Sequence, residues 1–351
     1  MTDQSSAPPD VAALDKLASA QKRIREQIAT AVVGQDVVVE QLLVSILAGG
    51  HCILEGVPGL AKTLLVQTLS RSLSLDFGRI QFTPDLMPAD ITGTDVIFED
   101  RQTGHREFKF VKGPIFTNIL LADEINRTPP KTQAALLQGM QERVVSTGGH
   151  HHALPRPFFV LATQNPIEQE GTYPLPEAQL DRFLMKVIVK YPSRDEERQI
   201  LKTTTGSVPR EPQQVLSGEE VLELQALVRR VPISDTLIDY TMSLVRATRK
   251  DEGEAPDFVK KWVLWGVGPR GGQSLILAAK ARAALYGRPE VTAEDIQAMA
   301  TAVLRHRVVL SYNAEADGQS PDSLIRRLLE TTPVYDSKAA SDGRVQRVLQ
   351  P

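Results

Sequence analysis

Apolar residues recur along the chain with two different spacings. From residue 11 to 31 the spacing is helical, Val32-Val33-Gly34-Gln35 interrupts it, and a second helical stretch runs to residue 47. Five short apolar runs, most of them separated by helical stretches, have the character of buried strands. They cover residues 52–54, 79–82, 119–122, 158–162 and 183–189. This alternation predicts an α/β core in which helices cover both faces of a mostly parallel sheet.

Beyond residue 193 the spacing is helical only. Ser217 with Glu220, and Thr292 with Asp295, each fit a capping box, in which a hydroxyl and a carboxylate three residues apart bond each other's backbone amides. The pattern therefore predicts a second, smaller, all-α domain. The domain boundaries that we expect are a disordered lead over 1–10, the core over 11–191, a linker over 192–212 and the helical domain over 213–351.

Two segments inside the predicted core alternate between apolar and polar residues, as hairpins do. The first covers about 94–111 and turns around 100–104, and the second covers about 143–154 and turns at Gly148-Gly149. His150 and His152 would share one face of the second hairpin, which suits a metal ligand pair. Metal sites usually need a third or fourth ligand, and no carboxylate or cysteine lies nearby in the sequence. An exposed hairpin tip is the better interpretation of these histidines.

Composition narrows the class of protein. The 351 residues are 42% hydrophobic and 24% charged, as in soluble globular proteins, and the net charge of −3 weighs against nucleic-acid binding. No apolar run has membrane-spanning length and no secretory leader pattern begins the chain, so we expect no membrane insertion. The single cysteine, Cys52, cannot form an intramolecular disulfide, which points to the reducing cytoplasm.

The strongest chemical motif is a glycine-rich loop between a predicted strand and a predicted helix. It comprises Gly56, Val57, Pro58, Gly59, Leu60, Ala61, Lys62, Thr63 and, at the start of the helix, Leu64. Such a P-loop presents backbone amides to phosphates, and we expect Lys62 to reach the β- and γ-phosphates of ATP and Thr63 to bind Mg²⁺. Ala61 replaces the usual glycine at the sixth position, which weakens the match. The alternative is an ordinary glycine-rich turn before a helix.

Two adjacent carboxylates follow the predicted strand at 119–122. Asp123 suits a residue that holds Mg²⁺, and Glu124 suits a base that orients the attacking water. Alone, an Asp-Glu pair after an apolar run would more often be a plain transition from strand to loop. Downstream of a P-loop, the pair indicates hydrolysis of the nucleotide.

These motifs, with several others in the same order, resemble AAA+ ATPases and most closely the MoxR family. The resemblance runs from about residue 20 to 310, and Ala61 itself is typical of MoxR proteins. The matching segments are 33–35, 54–63, 81–86, 90–93, 122–127, 162–166, 175–183 and 268–270. The resemblance implies a P-loop core with a parallel sheet between helices, followed by a small all-α lid.

Further site residues follow from the resemblance. Asn165 matches sensor 1, which holds the attacking water or a γ-phosphate oxygen, although a turn-forming Asn before Pro166 is the alternative. Arg182 matches the arginine finger that completes a neighbouring subunit's site, and its alternative is a surface arginine beside Asp181. Arg270 matches sensor 2, acting on its own or on a neighbouring subunit's nucleotide. Val33 and Gly34 match the segment that borders the adenine.

The resemblance also implies an activity and its partners. It predicts a Mg²⁺-dependent ATPase that forms a hexameric ring of identical subunits and remodels a client protein, helped by a protein with a von Willebrand factor A domain. The two hairpins would contact the client. A magnesium-chelatase-like motor subunit is the nearest alternative. A nucleic-acid motor lacks support from the charge or from an appended binding domain, and a GTPase would need an Asn-Lys-x-Asp motif, which the chain lacks.

Overall fold

The computed structural model describes residues 11–99, 106–167, 171–204 and 211–334. The chain divides into two compact units, Ser19–Gln225 on one side and, on the other, the described parts of Met1–Ala18 and Ala226–Pro351. The predicted lead, the first hairpin's turn at 100–104 and the end of the predicted helical domain lie outside the described residues. No described helix is both long and apolar enough to cross a bilayer.

Eleven strands occur among the described residues. They are β1 Cys52–Glu55, β2 Phe77–Gln81, β3 Gly93–Glu99, β4 Arg106–Lys112, β5 Ile119–Asp123, β6 Val144–Thr147, β7 His150–Ala153, β8 Phe159–Gln164, β9 Met185–Ile188, β10 Val263–Trp265 and β11 Val309–Leu310. Five of them form a parallel sheet in the larger unit, in the order β2-β5-β8-β1-β9. The central strands β5, β8 and β1 are buried along almost their whole length, as expected when helices cover both faces.

The register of this sheet decides where the site forms. Glu55 at the end of β1 lies opposite Gln164 at the end of β8, and Asp123 at the end of β5 lies opposite Gln81 at the end of β2. Because the strands are parallel, the loops that follow them begin at one edge of the sheet. Ligands of such sheets bind outside the carboxyl ends of the strands.

Fourteen α-helices occur among the described residues. They are α1 Val11–Ala29, α2 Asp36–Leu47, α3 Lys62–Ser72, α4 Pro88–Thr92, α5 Pro130–Glu142, α6 Glu177–Leu180, α7 Arg194–Thr204, α8 Gly218–Arg230, α9 Asp235–Ala247, α10 Asp257–Trp262, α11 Pro269–Leu285, α12 Ala293–Leu304, α13 Tyr312–Ala316 and α14 Pro321–Thr331, with a 3₁₀ turn at Ile125–Arg127. Both predicted capping boxes are confirmed. The Ser217 amide donates to Glu220 at 2.8 Å, and Thr292 forms a box with Asp295.

The structure adds elements that the sequence pattern did not predict. Helix α7 occupies part of the predicted linker at 192–212, and the division between compact units falls after Gln225. The predominantly helical character beyond residue 193 is confirmed, but β10 and β11 form a short antiparallel pair within it. Strands of two or three residues are too short to show a periodicity of two.

The two insertions each form an antiparallel pair, β3 with β4 and β6 with β7. The pairs pack together through His152, whose ring stacks on Phe110 with 3.9 Å between centroids. The outer part of the first pair is left uncovered, since Ile97 and Phe108, which lie opposite each other, are 63% and 77% exposed.

A buried acid organises the smaller unit. The Asp295 side chain is fully buried, and its carboxylate accepts hydrogen bonds from Arg288 and, at 2.8 Å, from Arg282. It also accepts a hydrogen bond from the Thr292 amide at the start of α12. Two arginines and a helix N-terminus therefore compensate one buried negative charge.

Candidate functional site

The P-loop joins β1 to α3 at the carboxyl edge of the sheet. A Cβ at Gly56 would lie 2.8 Å from the Val189 carbonyl oxygen, so the loop can pass this close to the chain after β9 only with glycine there. Gly59 has φ +84°, which favours glycine. Ala61 also adopts the left-handed region, with φ 54° and ψ 24°, directly before α3 begins at Lys62. The departure from the usual glycine therefore falls at a position that favours glycine.

The loop fits an anionic ligand. Among the described residues, no group accepts a hydrogen bond from the amides of Gly59 or Ala61, so both are free to bind a phosphate oxygen. Lys62, the first residue of α3, donates through Nζ to the Gly56 carbonyl oxygen at 2.5 Å. Burial lowers the pKa of Lys62, and the nearby carboxylates of Asp123 and Glu124 oppose that shift.

Asp123 ends β5, and its carboxylate is held on both oxygens. Oδ1 accepts a hydrogen bond from the Thr163 hydroxyl at 2.6 Å. Oδ2 accepts two from Arg79, through Nη2 at 2.6 Å and Nε at 3.1 Å. Thr63 is the second residue of α3, directly after Lys62. Hydroxyl and carboxylate oxygens are the ligands that Mg²⁺ prefers, so the side-chain chemistry of Thr63 and Asp123 suits a metal ion.

Glu124 follows at once and turns away from the strand because its backbone is left-handed, with φ 57°. Its amide donates to the Thr163 hydroxyl at 2.8 Å. Its carboxylate oxygen Oε2 accepts from Gln81 at 2.7 Å and from Arg127 at 3.1 Å. Both acidic residues are thus held by side chains from the neighbouring strand β2.

Asn165 follows β8, between the ends of β5 and β1, and is 7% exposed. Its side-chain oxygen accepts a hydrogen bond from the Ile167 amide at 3.2 Å. This is the turn-forming bond of the alternative interpretation, although the position at the sheet edge also suits a sensor of the phosphate. The strand order thus brings Asn165 to the same edge as Lys62, Asp123 and Glu124.

The other predicted residues lie farther along the chain. Val33 and Gly34 form the turn between α1 and α2, where Gly34 has φ +70° and a Cβ would lie 2.2 Å from the Glu196 carboxylate. Arg182, just after α6, is half-buried and forms no ion pair with any described residue. Arg270 is exposed at the second position of α11, in the smaller unit. The adenine, finger and sensor 2 roles remain predictions.

Four residues contact Asp123 or Glu124 but were not identified as site residues from the sequence. They are Arg79, Gln81, Arg127 and Thr163. Three of them could have been inferred. Arg79 and Gln81 alternate along a strand beside β5, and Thr163 is in the next strand of the sheet, so knowledge of the strand order would have indicated them.

Comparisons with known proteins agree with this arrangement. Residues 51–185 match the ATPase family associated with various cellular activities (AAA), and residues 259–328 match the AAA lid domain. Over 329 residues the chain is 47% identical to the chaperone MoxR1 of Mycobacterium tuberculosis, an alignment that covers 89% of this chain and 86% of that protein. The chain belongs to the MoxR family of AAA+ ATPases. The predicted family is thereby confirmed.

A further relative and a solved structure support the same family and fold for this MoxR-family chain. Protein MoxR of Paracoccus denitrificans is 33% identical over 322 residues, covering 86% of this chain and 93% of the relative. A crystal structure of a candidate ATPase from Cytophaga hutchinsonii superposes with a TM-score of 0.83 at 41% identity, covering 92% of this chain and 98% of that one. The α/β core followed by a helical lid is therefore confirmed for this MoxR-family ATPase.

Proposed function

We propose that this chain hydrolyses Mg-ATP to ADP and phosphate at the subunit interfaces of a hexameric ring and uses the energy to remodel a client protein. The observation that carries the proposal is the arrangement at the carboxyl edge of the sheet. The P-loop lysine Lys62 begins α3 directly after the loop that follows β1, and Asp123 and Glu124 lie at the carboxyl end of β5 in the same parallel sheet. A P-loop beside two adjacent carboxylates suits phosphoryl transfer to water.

Each residue has a defined task in this reaction. Lys62 and the loop amides bind the β- and γ-phosphates, and Thr63 and Asp123 would hold Mg²⁺, which neutralises phosphate charge when it is bound. Glu124 orients a water molecule and takes its proton as the water oxygen attacks the γ-phosphorus. Asn165 fixes that water or a phosphate oxygen through its amide. The bond between γ-phosphorus and bridging oxygen breaks, which releases ADP.

The role that we propose for Arg182 requires a neighbouring subunit, because an arginine finger completes the nucleotide site of the next subunit. A ring gives every site such a neighbour. The Arg182 guanidinium, which has no ion-pair partner among the described residues, is available to an adjacent subunit. An arginine finger raises the rate by about 10³- to 10⁵-fold in related phosphoryl transfers. Arg270 would report the nucleotide state to the lid, within its own subunit or across the interface.

The client surface that we propose is the first hairpin pair, β3 with β4. Five large apolar side chains are exposed there, namely Val96, Ile97, Phe98, Phe108 and Val111. Apolar surface of this kind marks sites of protein interaction. A protein with a von Willebrand factor A domain is the partner that we expect. We propose the cytoplasm as the location, since the buried free thiol of Cys52 suits a reducing compartment.

The experiment that tests the shared site measures ATP hydrolysis against protein concentration, for the wild type and for Arg182→Ala mixed with Glu124→Gln. Specific activity should rise with concentration as subunits assemble. Each variant alone should be nearly inactive. In an equal mixture about one interface in four combines an intact Glu124 with an intact Arg182 from the neighbour, so activity should partly return.

The matched control replaces Glu124→Gln in the mixture by the double variant Arg182→Ala/Glu124→Gln, which offers no finger and should restore nothing. If Arg182→Ala alone keeps wild-type activity at every concentration, the finger role is wrong. If the wild type hydrolyses no ATP at any concentration, with or without Mg²⁺, the hydrolytic function itself is wrong.

A further inference from the structure

The Asp123 carboxylate is engaged by an arginine that no P-loop motif predicts. Arg79 contributes two donors to the same oxygen, Oδ2, at 2.6 and 3.1 Å. The Asp123 side chain is 14% exposed and that of Arg79 is 47% exposed. Charge-assisted pairs with two donors are among the stronger hydrogen bonds in proteins, and the partial burial of the acid protects this one from solvent.

Arg79 is held in place by more than this pair. Its Nη2 also donates to the Gln81 side-chain oxygen at 2.9 Å, and Gln81 in turn donates to Glu124 at 2.7 Å. Strand β2 pairs directly with β5, so the backbone fixes both side chains beside the acids. Displacing an arginine that donates hydrogen bonds to two partners requires more free energy than displacing a surface arginine without partners.

The contact has a consequence for metal binding. The Thr163 hydroxyl already donates to Asp123 Oδ1. A cation that binds Asp123 would therefore compete with Arg79 for the other carboxylate oxygen, Oδ2. A guanidinium and a divalent cation repel each other at such short range. Arg79 and a metal ion therefore cannot both bind Oδ2 tightly at the same time.

We propose that Arg79 is a positioning residue that competes with Mg²⁺ for Asp123, so that binding of the magnesium nucleotide requires the guanidinium to move away. The proposal rests on the proposed function, since it assumes that the site binds Mg-ATP. Arg79 then sets the Mg²⁺ concentration at which the site binds its nucleotide tightly. Arg79 raises the Mg²⁺ concentration that binding requires, and it does not contact the reacting atoms.

The test is a binding titration that needs no hydrolysis. A fluorescent, non-hydrolysable ATP analogue is bound to the wild type, to Arg79→Met and to Arg79→Lys, while Mg²⁺ is raised from chelator-buffered zero. Removing the guanidinium should lower the half-saturating Mg²⁺ concentration by about tenfold, and lysine, which cannot donate from two nitrogens in a plane, should fall between. In chelator alone, Arg79→Met should bind the analogue no more tightly than the wild type.

Arg106→Met is the matched control, because Arg106 pairs with Glu99 at 2.9 Å on the exposed first hairpin. It should leave the Mg²⁺ titration unchanged. An unchanged or higher half-saturating Mg²⁺ concentration in Arg79→Met overturns the proposal and leaves the pair as a structural contact. A wild type that binds the analogue equally with and without Mg²⁺ contradicts the proposed metal-nucleotide site as well, which separates the two failures. Melting temperatures by circular dichroism show whether each variant folds.

Discussion

His51 is a buried titratable group whose protonation should destabilise the larger unit. It lies directly before β1 and is 6% exposed. The Val160 amide donates to Nδ1 at 3.0 Å, and Nε2 lies 3.2 Å from the Met140 carbonyl oxygen. The neutral ring with its proton on Nε2 satisfies both bonds. A proton on Nδ1 would oppose the Val160 amide, so the folded chain strongly favours the neutral form.

The size and sign of the effect follow from the pKa. Burial, more than any other cause, lowers the pKa of His51 from 6.5 to about 4. The unfolded chain therefore binds a proton below about pH 6.5 that the folded chain does not bind until about pH 4. The contribution of the neutral His51 ring to the free energy of unfolding is fully present above pH 6.5 and is lost as the pH falls towards 4. Between about pH 7.5 and about pH 5 the loss is about 2 kcal/mol.

The assay must report on the larger unit. Both tryptophans, Trp262 and Trp265, lie in the smaller unit, so their fluorescence does not serve. Hydrogen exchange of peptides covering β1 and β8 does, after correction for the intrinsic rate at each pH. The free energy of opening should fall by about 2 kcal/mol more in the wild type than in His51→Gln over that range.

His151→Gln is the control, because His151 lies exposed on the second hairpin, and it should keep the wild-type pH dependence. If His51→Gln shows the same pH dependence as the wild type, the depressed pKa of His51 is refuted, whatever the variant does to stability at neutral pH.

Three further predictions concern single positions. Ala61→Gly should stabilise the larger unit by about 1 kcal/mol, because φ 54° disfavours alanine, and hydrogen exchange of peptides covering β1 and β8 checks this. Gly56→Ala should weaken binding of a fluorescent ATP analogue at least about tenfold, because its methyl group would lie 2.8 Å from the Val189 carbonyl oxygen; unchanged affinity would contradict this. Asp295→Asn should destabilise the smaller unit by about 3–5 kcal/mol, because Arg282 loses its buried counter-charge, and urea unfolding followed by tryptophan fluorescence measures it.

The sequence predicted those parts of the site that lie within one continuous motif. The P-loop and the Asp123-Glu124 pair each combine a strand end with a fixed spacing, so the linear pattern is enough to identify them. Arg79 and Thr163 act across strands, and their partners depend on the order β2-β5-β8, which hydrophobic spacing does not specify. Helix α7 could have been found, because Ser193 and Glu196 form a capping box before it, with the Ser193 amide donating to Glu196 at 2.7 Å.

The distribution of charge at the sheet edge predicts that the proposed site responds differently to phosphate and to metal. Asp123 is paired with Arg79 and Glu124 with Arg127, so each acid already has a cationic partner. Lys62 forms no ion pair within the described chain and donates only to the neutral Gly56 carbonyl, so its charge is the one most available to a phosphate. An anion can therefore approach Lys62 without breaking an ion pair, whereas under our proposal a metal ion at Asp123 would have to displace Arg79. Phosphate binding and metal binding then have separate energetic determinants, and variants at Lys62 and Arg79 should change different titrations.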